Sequence, residues 1–334
     1  MDIDFHFGTV YVLSRWAGFQ SANAKVIAAC SQYVDDNIDN MDGDSLSSWD
    51  TGRDVRDDGR IIRYSGHELW ANLGNKEGNE EVWIPYHFLP GLEGETEEEK
   101  LICHKNSSLA KKLFERLSSI TTADDNWAFK LGIGLHVFAD TWAHQEFAGI
   151  TSLKNVIHDL AIELFDQDNW KSFDRFNDMM KNLSLNVAAP LGHAAAINWP
   201  DRPYAKWSSS SKFPDGRDNC QEFLEASQAC YKILAKVSGD VPLALSTSQL
   251  NILQKAFLEI VNDDPEIRNK VWTEWIGQNV FGFDFQDGDS NLEYDKWFIA
   301  GDEDFDRAFY DSIEEYYQWV KKELEAAGVY RLDG

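Results

Sequence analysis

The stretch Leu131–Gly149, LGIGLHVFADTWAHQEFAG, constrains this chain more than any other. It sets His136, Asp140 and His144 four and four residues apart. On an α-helix four residues advance about 400°, so the three side chains share an arc of about 80°. They climb about 6 Å per step, which puts His136 and His144 about 12 Å apart along the axis. A metal ion with ligand bonds near 2 Å can be gripped by two neighbours of this row but hardly by all three. The spacing suits two adjacent ions with Asp140 bridging them, and two-metal hydrolases hold their ions about 3.5–4 Å apart.

The flanks explain why these polar groups need a partner. Leu131, Ile133, Leu135, Val137, Phe138, Ala139, Trp142, Ala143 and Phe147 leave little polar surface on the helix. A helix this apolar is buried on most sides. A buried Asp or His must then be hydrogen-bonded or bound to metal. The competing explanation is a hydrogen-bonded polar core with no ion.

The 334 residues, 43% hydrophobic and 13% aromatic, can fill one large core. The formal charge of −26 argues against a nucleic-acid-binding surface, which needs a basic footprint. It also argues against adsorption to anionic lipid. Metal ions would have to supply the positive charge that a phosphate ester requires. No run of eighteen apolar residues predicts a membrane span. MDIDFHFG has no basic region leading into an apolar stretch, so an export signal is not expected. Cys30, Cys103, Cys220 and Cys230 form no CxxC pair and read as reduced, buried thiols of a cytoplasmic protein.

Along the chain, residues 5–20 read as a short apolar helix ending near Ala17-Gly18. Ser21 caps a second helix that ends around Asp35 and Asp36. Residues 37–60 read as an acidic loop, and their spacing fails the EF-hand pattern. Short strands are expected at 60–64 and 81–85. Pro85 and Pro90 stiffen an aromatic loop around His87. A helix starts at Thr96, interrupted near Asn106, and runs to about Ser119. The pivotal helix follows, capped near Asp124 or Asp125. Beyond Gly149 helices are expected at 152–166, 168–188, 217–238, 246–262, 265–280 and 303–327, with loops at 190–207 and 281–302. The fold class is all-α: one domain, 1–334, with long irregular loops around a central buried helix carrying His136, Asp140 and His144.

Further ligands follow from this layout. The first two helices form a hairpin, so its open end brings His6 to Asp35 and Asp36. Two carboxylates at a helix C-terminus oppose the helix dipole, and a cation would relieve them. His87 in its stiff loop and His193, with Asp201 eight residues on, are candidates from the loops. His67, His104 and His158 read as surface residues. No Walker loop, GxGxxG or Ser nucleophile elbow is present.

MDIDFHFG, AACSQYVDDN, WIPYHFLPG and GLHVFADTWAHQEFAG together resemble an uncharacterised bacterial family of all-helical proteins that open with Asp-x-Asp-x-His. The resemblance implies that His6, Asp35, Asp36, His87, His136, Asp140, His144 and His193 fall in its motifs. The His136-x-x-x-Asp140 row is also similar to the central helix of the zinc-dependent phospholipase C and S1/P1 nuclease group. The chain departs from that group in the close following His144, in having no N-terminal Trp as a ligand, and in having no export signal. His6 with Asp35-Asp36 looks like the ligand hairpin of the HD-type phosphohydrolases, with Asp in place of one His. Both partial likenesses imply metal-dependent attack on phosphoesters.

The expectation is therefore a hydrolase of a small phosphoester with two or three divalent ions, Zn, Mn or Fe. Asp140 would be shared between ions, Glu146 or an Asp behind the ligands would serve as general base, and His6, Asp35 or Asp36, His87, His136, His144 and His193 would be ligands. The alternative is a non-catalytic, metal-stabilised binding or effector protein whose ligands close every coordination position.

Overall fold

The computed structural model describes residues 1–38, 53–55, 59, 61–66, 76–163, 191–239, 241–296 and 302–332. A single π-helical turn, Asp4–Thr9, passes directly into α1 (Val10–Trp16). Such turns are rare and often serve to aim a side chain at a functional site. Here the amides of Phe5 and His6 both donate to the Asp2 carbonyl, at 2.8 and 3.1 Å. After Gly18, whose φ of +91° suits the turn, α2 (Ser21–Asp36) returns antiparallel to α1.

The central helix is α6 (Trp127–Ala143), buried along nearly its whole length. It packs against α2, α5 (Ser108–Ser118), α7 (Asn219–Ser238) and α11 (Glu303–Ala326). Two glycines bring the neighbours this close. A Cβ on Gly132 would stand 2.4 Å from the Ile27 carbonyl of α2, and one on Gly134 would stand 2.2 Å from Leu117 of α5. The hairpin strands β1 (Arg53–Val55) and β2 (Ile61–Arg63) precede α3 (Lys76–Tyr86) and the short α4 (Glu97–Lys100). After α7 in the chain come α8 (Thr247–Glu259), which packs on α7, α9 (Pro265–Gly277), which packs on the π-turn, and the single turn α10 (Asp287–Ser290), which packs on α9 and α2.

The described residues are mostly helical, 58% helix against 8% strand, but not purely all-α. A three-stranded antiparallel sheet forms from β3 (Ala161–Glu163), β4 (Lys206–Ser209) and β5 (Phe213–Asp218). It accounts for one departure from the expected elements. The helix expected at 152–166 is instead a 3-10 turn, Leu153–Asn155, followed by β3. Ile157, Leu160 and Ile162 there pack on a satellite core of Trp83, Phe88, Phe147, Trp199 and Trp207, separate from the main one. The strand expected at 81–85 is the end of α3, where Pro85 has no N–H to donate to the preceding turn and so favours the stop after Tyr86. The helix from Thr96 divides into α4 and α5, the latter capped by Ser107 Oγ accepting from Ala110 N at 3.1 Å. The pivotal helix is preceded by Asn126 rather than Asp124 or Asp125. The helix expected at 168–188 and His67 lie outside the described residues. All four cysteines are free and buried.

Candidate metal centre

Each arm of the site reaches the same point from a different element. His136 and Asp140 project from the middle of α6, and His144 is the residue that closes its C-terminus. Arg217 fastens that end by donating to the carbonyls of Ala143 and Trp142 at 2.8 and 2.6 Å. His6 comes from the π-turn, Asp35 from the last turn of α2, and His87 from the residue after α3. His193 and Asp201 sit on successive 3-10 turns. Asn219 holds that loop, donating from Nδ2 to the carbonyls of Trp199 at 2.6 Å and Arg202 at 2.8 Å.

The donor atoms fall into three groups, each within 4.8 Å: His6, His136 and Asp140; Asp35, His87 and His136; and His144, His193 and Asp201. Asp140 links the first two to the third. Its Oδ1 lies 3.1 Å from His6 Nε2, and its Oδ2 lies 3.4 Å from His136 Nε2, 3.5 Å from His87 Nδ1 and 3.5 Å from His144 Nδ1. Asp201 does the same at the other end, with Oδ1 2.9 Å from His144 Nε2 and Oδ2 3.2 Å from His193 Nε2.

Backbone carbonyls fix the imidazole tautomers. A carbonyl only accepts, so the ring nitrogen facing it must carry the proton. His136 Nδ1 donates to Ser31 O at 2.7 Å, His87 Nε2 to Ser65 O at 2.7 Å, His144 Nδ1 to His87 O at 2.5 Å and His193 Nδ1 to Ile197 O at 2.7 Å. In the neutral ring the other nitrogen then offers a lone pair. For His136, His87 and His144 that lone pair points at a carboxylate oxygen, acceptor against acceptor. Such an array could hold a cation between its members, and donation of the remote N–H to a carbonyl is how metal-ligating histidines are usually oriented. His6 stacks on His136 at 3.8 Å between ring centres, and neither of its ring nitrogens makes a hydrogen bond. Asp140 Oδ2 likewise makes none.

Protonation is disfavoured at three of these rings. Burial, followed by the neighbouring His136, holds His6 well below the ordinary imidazole value. Burial pulls His136 down to about 4 in spite of Asp140, and lowers His144 in the same way. His193 goes the other way, because Asp201 outweighs its burial. Burial acts to raise Asp140, but His144, the α-amino group and His136 hold its carboxylate well below the ordinary value. Asp35 is raised by burial and then by Asp140. The α-amino group of Met1 is buried between Asp140, with which it pairs, and Asp201 Oδ1 at 3.3 Å. Burial would lower that amine, but Asp140, Asp201 and Asp35 raise it to about 10. The residues present therefore fit divalent ions: five imidazoles, three carboxylates and orphaned buried acceptors in one place.

Two expected residues are placed elsewhere. Asp36 faces away from the groups: its Oδ2 accepts from Tyr294 Oη at 2.7 Å and Gln32 Nε2 at 3.1 Å, and Lys296 lies 3.7 Å from Oδ1. The last turn of α2 can turn only one of two consecutive carboxylates inward. Glu146, in the left-handed region at φ +71°, pairs with His104 Nδ1 at 3.3 Å and belongs to none of the three groups. Asp201 completes the third group; the sequence signal was its position eight residues after His193 in a Trp-Pro-Asp turn.

A cleft of about 820 Å³ opens onto this centre, lined among others by Asp35, His144, Asp201, Arg202, Lys270 and Tyr294. Arg202 is engaged by Asp263 at 2.6 Å. No helix of the described residues is long and apolar enough to cross a membrane.

The chain matches a family of unknown function, DUF6765, over residues 1–327. No curated protein and no solved structure matches it. The chain belongs to that family.

Proposed function

We propose that this member of DUF6765 is a metal-dependent hydrolase of a small phosphoester, working through two or three divalent ions and a water activated by them. The observation that carries the reading is the set of imidazoles whose tautomers are fixed by Ser31, Ser65 and His87 carbonyls, with their lone pairs turned onto Asp140 and Asp201. His6, His87, His136 and Asp35 would hold the inner ions, His144, His193 and Asp201 the outer one, and Asp140 would be shared. Bound divalent ions would lower the pKa of a coordinated water and offset charge on the phosphoryl oxygens. His and carboxylate ligation suits Zn, Mn or Fe.

The chain's own contribution is preorganisation. The rings cannot turn without breaking a buried hydrogen bond, which costs about 1–3 kcal/mol for each group left unsatisfied. Access favours catalysis over a sealed structural site, because Asp35, His144 and Asp201 all line the cleft. The cleft margin also carries Asp36, Asp263, Glu266 and Glu293, so the positive charge needed by a phosphoester would come chiefly from the ions. An acidic margin of this kind, on a chain of net charge −26, disfavours a polynucleotide and favours a small ester.

Elemental analysis of protein purified without added metal, beside Asp140→Ala, tests the reading. Two or more transition-metal ions per chain, lost in the variant, are expected, followed by hydrolysis of generic phosphoesters by the wild type alone. A wild-type protein free of metal after incubation with Zn, Mn and Fe would sink it.

A further inference from the structure

Asn37 lies just past the end of α2, two residues from Asp35, and is 2% exposed. None of its polar groups faces the metal centre, yet all are engaged. Its amide N–H donates to Tyr33 O at 2.9 Å and so closes α2. Its carbonyl accepts from Ser65 N at 3.1 Å and Gly66 N at 2.8 Å. Its side-chain Nδ2 donates to Arg63 O at 2.7 Å and Ser65 Oγ at 3.0 Å, and its Oδ1 accepts from Tyr310 Oη of α11 at 2.8 Å. The Arg63 carbonyl can only accept, which fixes which end of the amide is the NH₂.

These bonds clamp one short segment, 63–66, against the end of α2. Gly66 permits the approach: a Cβ there would stand 2.3 Å from Asp35 O and 3.0 Å from Asn37 N. The segment's purpose is visible at Ser65, whose carbonyl accepts from His87 Nε2 at 2.7 Å. That bond leaves His87 Nδ1 to face Asp35 Oδ1 at 3.7 Å, His136 Nε2 at 3.4 Å and Asp140 Oδ2 at 3.5 Å.

We infer that Asn37 is a positioning residue of the metal centre, which sets His87 through the Ser65 carbonyl and sets Asp35 through the end of α2. The inference rests on the metal reading above and adds to it the residue that ties two ligands from different elements together. Outer groups that orient a ligating histidine typically contribute about 10–100-fold to metal affinity.

Cobalt(II) is the probe, titrated into metal-free full-length protein and followed by visible absorption and by bound ions per chain. Asn37→Asp keeps the shape but turns an acceptor towards Arg63 O, and Gly66→Ala pushes the clamp apart from the other side. Both are expected to remain folded by circular dichroism, to bind one of the ions about 10–100-fold more weakly and to show an altered cobalt spectrum. If either variant fails to fold, Tyr310→Phe, which removes the hydroxyl that donates to Asn37 Oδ1, decides: weakened binding of that ion supports the inference, and wild-type binding overturns it. Folded variants with wild-type affinity and spectrum also overturn it, leaving Asn37 as a plain helix stop. A wild-type protein that takes up no cobalt would instead bring down the metal reading, and the inference with it, so the two failures are distinct.

Discussion

At the scale of single residues, the centre is a set of groups whose protonation is set by burial. His136 is held at about 4, mainly because burial disfavours its charged form. An unfolded chain protonates that ring below about pH 6.5, while the metal-free fold resists until about pH 4. The unfolded state thus binds more protons across this window, so the stability of the metal-free protein falls as pH drops from 6.5 to 4. His136 alone contributes a loss of about 3 kcal/mol over that span. His6 and His144 are shifted in the same direction, and His193, raised by Asp201, opposes them in part. Urea unfolding of metal-free protein at pH 7 and pH 5 checks this, and equal midpoints would contradict it. The same groups show what a sequence discloses at this scale. The helical row of His136, Asp140 and His144 could be read from spacing because the period of a helix dictates one face. The division between Asp35 and Asp36 could not, because one step along a helix is about 100° and their partners, His87 and Tyr294, come from other parts of the chain.

At the scale of elements, the π-turn is held by a group far away in sequence. Arg268 of α9, fully buried, donates from Nε to Asp4 Oδ2 at 2.7 Å and also pairs with Asp2, while Trp272 Nε1 donates to Asp4 Oδ1 at 3.1 Å. The Asp-x-Asp-x-His opening is therefore two anchors and one candidate ligand: Asp2 and Asp4 bind α9, and His6 faces Asp140. Arg268→Ala would leave Asp4 buried without its charge partner, and removing one member of such a pair typically costs about 3–5 kcal/mol. Chemical denaturation of the variant should show a loss of that order, together with reduced metal content through a displaced His6. A loss below about 1 kcal/mol would mean that the turn holds itself. Arg268 was not visible from the sequence, since an Arg on an amphipathic helix usually lies on its wet face. The helices α2, α5, α6, α7, α8, α9 and α11 were readable because each repeats its apolar residues with the helical period. The sheet of β3, β4 and β5 was not, because Leu153, Val156, Ile157 and Leu160 recur at the spacing of a helix, although Ile157 and Leu160 join the satellite core instead.

At the scale of the whole molecule, the main hydrophobic core is continuous, and the candidate metal centre is set at the meeting point of α2, α6, the π-turn and the loops beside the small sheet. Three carboxylates and five imidazoles in one buried place work against the fold when no cation balances them. A ligand that binds the folded state and not the unfolded one stabilises by RT ln(1 + [L]/Kd), about 2.7 kcal/mol for each ion at a hundredfold excess over Kd. The fold should therefore be more stable loaded than stripped, and by more than a surface ion would provide. The inner and outer groups should also separate. Asp201→Asn removes the carboxylate that faces the imidazoles of His144 and His193, whereas Asp140→Asn touches all three groups. Thermal unfolding with Zn, and again after chelation, should show a rise in Tm of several degrees for the wild type. Asp201→Asn should keep part of that rise and Asp140→Asn almost none. Equal responses of the two variants would mean that the ions are not divided between α6 and the loop in this way. A wild-type Tm unmoved by either metal or chelator would mean that the converging lone pairs belong to a polar core.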